Sequence, residues 1–284
     1  MYLLFDIGGS KMRFAASSDG KRFSDVKVVP TPQNFEEGVA LFGTVAGELG
    51  GGKAFDAIAG GVAGPLNKDR TRLVAAPNLP SWVARPLKRE LEIAAKGPVH
   101  LENDTNMNGL GEVYFGAGRG HDIVVYLTVS TGVGGSRFVD GRIDASAFGF
   151  EPGHQIIDAS GALCPSCSKD GRHDLESYIS GKAFEQRFRK KPFEVTDLNI
   201  WDEAAHFLAY GLNNTIVHWS PEVIVLGGSM ITGAPGIPLE RVEYHLNHIM
   251  QIFPVLPKLE KAQLGDEGGL WGALIYLGKK LYNS

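Results

Sequence analysis

The stretch YLLFDIGGSKMRFAA, residues 2–16, carries the pattern that decides the fold. Two apolar runs flank a pair of glycines, which is the usual signal for two antiparallel strands joined by a tight turn. A glycine pair in such a turn lets the backbone come close to a bulky anion and point its N–H groups at it. The stretch therefore predicts a β-hairpin that can bind phosphate, with Asp6 near the end of its first strand.

A second copy of this pattern, IVVYLTVSTGVGGSRFV, occupies residues 123–139. The copies lie about 125 residues apart, which is too far for a solenoid repeat but fits a duplicated domain. One hairpin with a glycine pair is a common structural feature, whereas a phosphate clamp between two lobes explains both hairpins at once. Asp6 would then hold Mg²⁺, directly or through water.

The two hairpins offer hydroxyl and ammonium groups in addition to backbone N–H groups. The residues predicted to bind the phosphates are Asp6, Gly8, Gly9, Ser10, Lys11, Thr131, Gly132 and Gly134. The chain contains no Gly-x-x-x-x-Gly-Lys-[Ser/Thr] motif, so this phosphate site is not a P-loop.

The composition restricts the possible functions. The chain has 284 residues, 43% of them hydrophobic and 21% charged, with a formal net charge of −4. The length favours two lobes, and the charge balance argues against nucleic-acid binding as the main activity. No apolar run approaches the ~18 residues of a membrane helix, and the N-terminus lacks the pattern of a secretion signal. We therefore expect a cytoplasmic protein that binds neither nucleic acid nor membrane.

Strand and helix patterns alternate in both halves of the chain. The spacing of apolar residues predicts helices over residues 35–49, 86–95, 105–115, 198–219 and 269–282, and strands over residues 54–61, 98–102 and 223–226. This alternation is typical of an α/β fold with a mixed sheet flanked by helices in each lobe. We assign residues 1–117, with the closing helix at 269–284, to a small N-terminal lobe and residues 118–268 to a large C-terminal lobe.

Further stretches extend the pattern. They are LENDTNMNGLGE at residues 101–112, EPGHQIID at 151–158, CPSC at 164–167 and LESYISG at 175–181. Together with the paired hairpins, these stretches resemble the ROK family of the sugar kinase, actin and heat-shock chaperone ATPase superfamily. The resemblance implies a two-lobed, actin-like (ribonuclease H-like) fold and a glucokinase-like enzyme. Such an enzyme transfers phosphate from ATP, with Mg²⁺, to the 6-hydroxyl of a hexose. We also expect a homodimer.

Asn103 and Asp104 follow a predicted strand and precede a predicted helix. Taken alone, Asp104 is a plain helix N-cap. The positive end of the helix would keep its carboxylate ionised, as a general base requires, and its pKa low. The resemblance implies that Asp104 is the catalytic base and that Asn103 binds the sugar. A weak base suffices, because the transition state of phosphoryl transfer is loose and positioning matters most.

A hexose is held by several polar groups around its hydroxyls. By resemblance, the sugar-binding residues are Gly64, Asn78, Asn103, Asp104, Glu151, His154 and Glu176. Taken alone, Asn78 is a turn residue before Pro80 and Glu176 is a surface helix residue.

His154, Cys164 and Cys167 form a third group of candidate residues. A lone Cys-x-x-Cys pair without a secretion signal favours metal or redox chemistry over a disulfide framework. ROK proteins commonly hold a structural zinc with this histidine and three cysteines, but here the third cysteine is missing. His173 is our predicted fourth ligand, since Zn²⁺ accepts two cysteines and two histidines, and Asp174 is the second candidate. The alternative is a lost zinc site with two free buried thiols.

Gly227 and Gly228 end a predicted strand in PEVIVLGGSM, residues 221–230. The resemblance implies that adenosine packs on their bare backbone. An ordinary strand–turn–helix explains the local sequence equally well.

The leading interpretation is a glucokinase-like enzyme. An N-acetylhexosamine or fructose kinase of the same family is the alternative, and the sequence leaves the phosphoryl donor open between ATP and polyphosphate. A sugar-sensing repressor would need a DNA-binding helix-turn-helix domain before the first hairpin, where we expect none. A filament or chaperone ATPase is disfavoured by the EPGH and Cys-x-x-Cys segment.

Overall fold

The protein was analysed as a computed structural model that describes residues 1–167 and 171–282. The chain forms two compact units. The first unit comprises Met1–Phe115, the short segment Ala145–Gly149 and the C-terminal segment from Asp266. The second unit comprises Gly116–Asp144 and Phe150–Gly265.

The elements alternate along the chain as the sequence predicts. The helices are α1 (Phe35–Leu49), α2 (Leu87–Ala95), α3 (Asp104–Phe115), α4 (Leu175–Ile179), α5 (Gly181–Phe188), α6 (Leu198–Trp219), α7 (Ser229–Thr232), α8 (Leu239–Ile249) and α9 (Gly268–Tyr282). The strands are β1 (Tyr2–Ile7), β2 (Lys11–Ser17), β3 (Lys27–Pro30), β4 (Ala57–Val62), β5 (Val99–Asn103), β6 (Ile123–Val129), β7 (Val133–Val139), β8 (Arg142–Ile143), β9 (Val223–Gly227) and β10 (Lys258–Lys261).

The first unit contains a five-stranded sheet in the order β3-β2-β1-β4-β5. β1, β4 and β5 are parallel, while β2 is antiparallel to both β1 and β3. Because β1, β4 and β5 run the same way, their carboxyl ends meet at one edge of the sheet. That edge carries Asp6, Asn103 and the start of α3.

Both faces of this sheet are buried, which explains why β1 is a continuous apolar run. Leu3 and Phe5 point to one face, where the hydrophobic core includes residues of α1 and α2. Leu4 points to the other face and packs with Met107 of α3 and Leu270 of α9. α3 and α9 are therefore held on the face of the sheet opposite to α1 and α2.

The second unit contains a five-stranded sheet in the order β10-β9-β6-β7-β8. β6, β9 and β10 are parallel, and β7 is antiparallel to both β6 and β8. Its core joins Val125 and Leu127 of β6 to Leu208 and Leu212 of α6. The two sheets thus share one arrangement of strands.

The fold prediction is confirmed, since each unit has a mixed sheet flanked by helices. α1 and α6 have the predicted bounds, and α3 begins one residue earlier than predicted, at Asp104. Over residues 1–167 and 171–282, no helix is both long enough and apolar enough to span a membrane.

Candidate active site

Strand β5 passes directly into α3, with Asn103 as the last strand residue and Asp104 as the first helical residue. The Asn103 Oδ1 accepts hydrogen bonds from the backbone N–H groups of Thr105, at 2.9 Å, and Asn106, at 3.2 Å. These are the contacts of a helix N-cap. Asn103 is therefore the cap of α3, and the plain N-cap interpretation of Asp104 is wrong.

The junction between β5 and α3 is packed tightly against the end of β4. A Cβ atom on Gly61 would lie 2.8 Å from the Asp104 Cα, so only glycine fits there. The Asn103 Nδ2 donates to the Gly64 carbonyl at 3.1 Å, and Gly64 has a φ of +120°, which side chains other than glycine rarely adopt. The structure thus brings together three residues predicted to bind sugar: Gly64, Asn103 and Asp104.

Two carboxyl groups lie near this sheet edge in the first unit. Burial is the main cause that raises the pKa of Asp6 to about 7, and the negative charge of Asp104 raises it further, against the opposing effect of Arg13. Burial also raises the pKa of Asp104 above its ordinary value, although the Thr105 N–H lowers it in part. The position of Asp104 at the start of a helix predicts a low pKa. That expectation is wrong because desolvation outweighs the helix N-terminus.

Asp6 is held from two sides. The Arg13 Nη1 lies 3.6 Å from the Asp6 Oδ2, and the Arg13 Nη2 lies 2.8 Å from the Asp266 Oδ2. A Cβ atom on Gly269, in the first turn of α9, would come within 3.0 Å of the Asp6 Cγ. Sequence analysis did not assign Arg13 or Gly269 to the site. The alternation of β2 gives no signal that Arg13 faces Asp6.

The carboxyl groups of Asp6 and Asp104 fit a magnesium ion by their chemistry. Mg²⁺ prefers oxygen ligands and commonly takes one or two carboxylates together with substrate phosphates. A nearby cation would also offset the mutual repulsion that contributes to the raised pKa of Asp6.

The turn of the first hairpin is anchored by the segment after β3. The Thr31 Oγ1 donates to the Gly8 carbonyl at 2.7 Å, and the Gln33 Nε2 donates to the Gly9 carbonyl at 3.0 Å. A Cβ atom on Gly9 would lie 2.6 Å from the Asn78 Cβ, so Asn78 packs against this turn. Thr31 and Gln33 support the predicted phosphate turn, but they lie outside any motif and were missed.

The turn of the second hairpin is anchored by α4 and α5. The backbone N–H of Gly181 donates to the Ser130 carbonyl at 2.7 Å. The Glu176 Oε2 accepts the Val133 N–H at 2.8 Å, and a Cβ atom on Gly132 would lie 2.7 Å from the same oxygen. Glu176, predicted to bind sugar, is therefore also a support of the predicted phosphate turn.

Glu151 precedes a short turn, Pro152–His154, that packs against β7. A Cβ atom on Gly153 would come within 2.1 Å of the Val133 carbonyl oxygen, which requires glycine at that position. The turn ends at His154, whose side chain remains about half exposed. Glu151 and His154 thus lie at either end of a turn fixed to the second hairpin.

His154 is oriented by a buried carboxylate. Its Nδ1 lies 3.0 Å from the Asp174 Oδ2, while the Asp174 Oδ1 caps α4 by accepting the Ser177 N–H at 3.0 Å. Burial acts to raise the pKa of Asp174, but hydrogen bonds from His154 and Ser177 prevail and bring it to about 2. The hydrogen bond to Asp174 also raises the pKa of His154.

The four predicted zinc ligands do not form a metal site in the structure. Cys164 and Cys167 are joined by a disulfide, which also corrects the expectation of free thiols. The His173 Nδ1 lies 3.3 Å from the Tyr178 hydroxyl, and the His154 Nδ1 is hydrogen-bonded to the Asp174 carboxylate. Within the described ranges, 1–167 and 171–282, no three His, Cys, Asp or Glu side chains are grouped to hold a metal ion.

Close packing within the second unit requires glycine at residues 227 and 228. A Cβ atom on Gly227 would lie 2.6 Å from the Tyr126 hydroxyl oxygen, and one on Gly228 would lie 2.3 Å from the Val129 carbonyl oxygen. Gly228 also has a φ of +85°. The close packing accounts for both glycines, and the adenosine contact stays a prediction.

Comparison with known proteins gives a consistent set of relatives. The model of the ROK family matches residues 2–280 of this chain. The glucokinase of Streptomyces coelicolor is 34% identical over 196 residues, which cover 67% of this chain and 59% of that protein. The matched part of the chain therefore spans less than two thirds of this relative.

Two solved structures are similar over almost the whole chain. The ROK hexokinase from Thermus thermophilus is 32% identical with a TM-score of 0.81, covering 98% of this chain and 99% of that chain. The ROK family glucokinase from Streptomyces griseus, solved in complex with glucose and AMPPNP, is 26% identical with a TM-score of 0.78. That superposition covers 97% of this chain and 98% of that chain.

Proposed function

The chain belongs to the ROK family, and from this membership we propose that it is an ATP-dependent kinase that phosphorylates a hexose at its 6-hydroxyl. The observation that carries the proposal is the carboxyl group of Asp104, held at a loop-free junction of strand and helix and raised in pKa by burial. A relative of similar fold was solved with glucose and an ATP analogue, AMPPNP.

Asp104 would act as the general base. The 6-hydroxyl would attack the γ-phosphorus and pass its proton to the Asp104 carboxylate as the new oxygen–phosphorus bond forms. The bond from the γ-phosphorus to the bridging oxygen would break at the same time, and ADP would leave. A raised pKa makes this carboxylate a stronger base than an ordinary exposed aspartate, provided that it is ionised when the sugar binds. Asn103 caps α3 and so keeps Asp104 at the start of the helix.

Phosphate binding is assigned to Asp6 and the turns of both hairpins. Asp6 would hold Mg²⁺, directly or through water, and the bound ion would offset the charge that develops on the transferred phosphoryl group. The turns offer backbone N–H groups, and their carbonyl groups are held by Thr31 and Gln33 in one unit and by Gly181 in the other. Adenosine would pack on the backbone at residues 227–228.

Sugar recognition is assigned to the polar groups that family membership implies. Asn103 and the Gly64 backbone are joined by a hydrogen bond in the first unit. Glu151 and His154 lie on one short turn in the second unit. These groups are of the kind that hold sugar hydroxyls, and Asn78 and Glu176 complete the proposed set.

Zinc binding by His154, Cys164, Cys167 and His173 stays a prediction. The residues do not fit zinc as they stand, because a disulfide offers no thiolate and thiolates are what zinc binds. Zinc would require the disulfide to be reduced. A homodimer and a cytoplasmic location are likewise proposals, and light scattering of the purified protein tests the first.

A coupled assay of ADP release across a panel of monosaccharides tests the proposed function. We expect turnover with a hexose and none with its 6-deoxy form, which lacks the attacking hydroxyl. Glucose is the first candidate, and N-acetylhexosamines, mannose and fructose complete the panel. Replacing ATP with polyphosphate tests the donor. Absence of turnover with every sugar and both donors would overturn the proposal.

A further inference from the structure

Glu102 is a buried carboxylate next to the proposed catalytic junction. It is 3% exposed and lies one residue before Asn103 on β5. Its Oε1 accepts the Asn103 N–H at 2.9 Å and the Asn106 Nδ2 at 3.0 Å, and its Oε2 accepts the Arg70 Nε at 2.6 Å. A buried charge is tolerated only with such partners. Glu102 thus ties the end of β5 to the first turn of α3 and to a distant arginine.

Arg70 lies on a turn whose conformation is fixed by hydrogen bonds within the turn. Leu66 and Leu73 pair across the base of this turn. The Asn67 Oδ1 accepts the N–H groups of Thr71, at 2.8 Å, and Arg72, at 3.0 Å. Arg70 itself has a φ of +50°, a conformation that costs free energy in any residue except glycine. The turn therefore holds an unfavourable backbone conformation while its arginine reaches Glu102.

The segment that carries Arg70 contacts the catalytic junction twice. The Gly64 carbonyl accepts a hydrogen bond from the Asn103 side chain at 3.1 Å, and six residues later Arg70 binds Glu102. These contacts are made to the two residues that directly precede Asp104, and Gly61 of β4 packs against the Asp104 Cα. The junction between β5 and α3 is consequently held in place by residues 61, 64 and 70.

We propose that the Arg70–Glu102 ion pair is a positioning device that orients Asp104 for phosphoryl transfer. The inference rests on the proposed kinase function. Small displacements of a base reduce the rate of a reaction more than they reduce substrate binding, because the reacting atoms must be aligned. The pair should therefore act on kcat far more than on the KM for ATP.

The chain allows this effect to be separated from a loss of stability. The Arg70 side chain is 46% exposed, so its truncation leaves no cavity in the core. Alanine and arginine both carry a Cβ atom, so Arg70→Ala leaves the cost of the positive φ in place. Glu102→Gln keeps the shape of the buried side chain and removes its charge. Arg72→Ala, on the same turn and exposed, is the matched control.

The experiment measures kcat, both KM values and Tm for Arg70→Ala, Glu102→Gln, the double variant and Arg72→Ala. We expect each single variant to lose about tenfold in kcat, with the KM for ATP within about twofold of wild type. The double variant should lose little more than either single variant, because the pair acts as a unit. Millimolar guanidinium should restore part of the kcat of Arg70→Ala, while Arg72→Ala should match wild type.

Three results would overturn the inference: additive losses in the double variant, a kcat of Arg70→Ala equal to that of Arg72→Ala, or a loss explained by a lower folded fraction at the assay temperature. Guanidinium rescue is a result that a merely structural role would not produce. Wild-type turnover on the sugar panel tests the proposed function by itself. If the wild-type enzyme is active but the variants do not lose kcat as expected, the result contradicts only the proposed role of the ion pair.

Discussion

The Glu176 carboxylate and the backbone N–H of Val133 form a hydrogen bond of 2.8 Å. Glu176 is proposed to bind sugar, whereas Val133 follows the turn proposed to bind phosphate. Because the same carboxylate supports the turn, its loss should disturb both substrates. Glu151 directly precedes the Pro152–His154 turn and is proposed to contact only the sugar.

Glu176→Ala should therefore raise the KM for the sugar and the KM for ATP together. Glu151→Ala should raise the KM for the sugar strongly and leave the KM for ATP near wild type, because it removes ground-state contacts to one substrate. Steady-state kinetics with each substrate varied in turn measures both values. If Glu151→Ala mainly weakened ATP, the assignment of the EPGH turn to the sugar would be wrong.

Asp104→Asn should abolish nearly all turnover while sugar binding measured by calorimetry stays close to wild type. The amide keeps the shape of the side chain but cannot accept the proton. Asp69→Asn removes an exposed carboxylate of the same unit and serves as the control. A kcat above about a tenth of wild type in Asp104→Asn would show that Asp104 is not the base.

Asp6→Asn should raise the Tm of the protein and lower its kcat. The carboxyl group has an ordinary pKa of 3.8 and a folded pKa of about 7. Between those values the folded protein binds a proton that the unfolded chain does not, so the free energy of unfolding falls as pH rises from about 4 to about 7. The variant lacks this decline, and its Tm should exceed that of wild type by a margin that grows across the window and then levels off.

Differential scanning calorimetry from about pH 4 to about pH 8 measures this margin, with Asp69→Asn as the control. At the same time kcat of Asp6→Asn should collapse for every sugar, because the phosphate site loses its carboxylate. A constant difference in Tm at all pH values would mean that the Asp6 carboxyl does not titrate in this range.

The disulfide should control zinc uptake. In the structure Cys164 and Cys167 are paired, so the oxidised protein should take up no zinc at this loop. After reduction, elemental analysis should find about one zinc per chain, and Cys164→Ser should lose it. A reduced wild-type protein that takes up no zinc would contradict the predicted site. Uptake with the disulfide intact would contradict the choice of ligands.

The local pattern was sufficient for much of the fold and for the candidate residues. The apolar spacing of residues 35–49 and 198–219 gave α1 and α6 with their observed bounds, because side-chain periodicity is a property of one element. The glycine pair at residues 8–9 lies in the turn of the first hairpin, as the pattern predicted. The second hairpin is also present, but its turn is residues 130–132, and Gly134 and Gly135 lie within β7. Asp104 was identified by a resemblance carried in twelve consecutive residues.

The remaining features of the candidate site depend on contacts between residues that are far apart along the chain. The sequence alone predicted that a helix follows Asn103 and Asp104, but the raised pKa of Asp104 depends on burial that only the folded unit creates. Likewise the Arg70–Glu102 pair joins residues 32 positions apart, and the Thr31 contact to Gly8 joins residues 23 apart. Desolvation and long-range hydrogen bonds have no periodicity to detect, because they exist only once the sheet has brought the segments together.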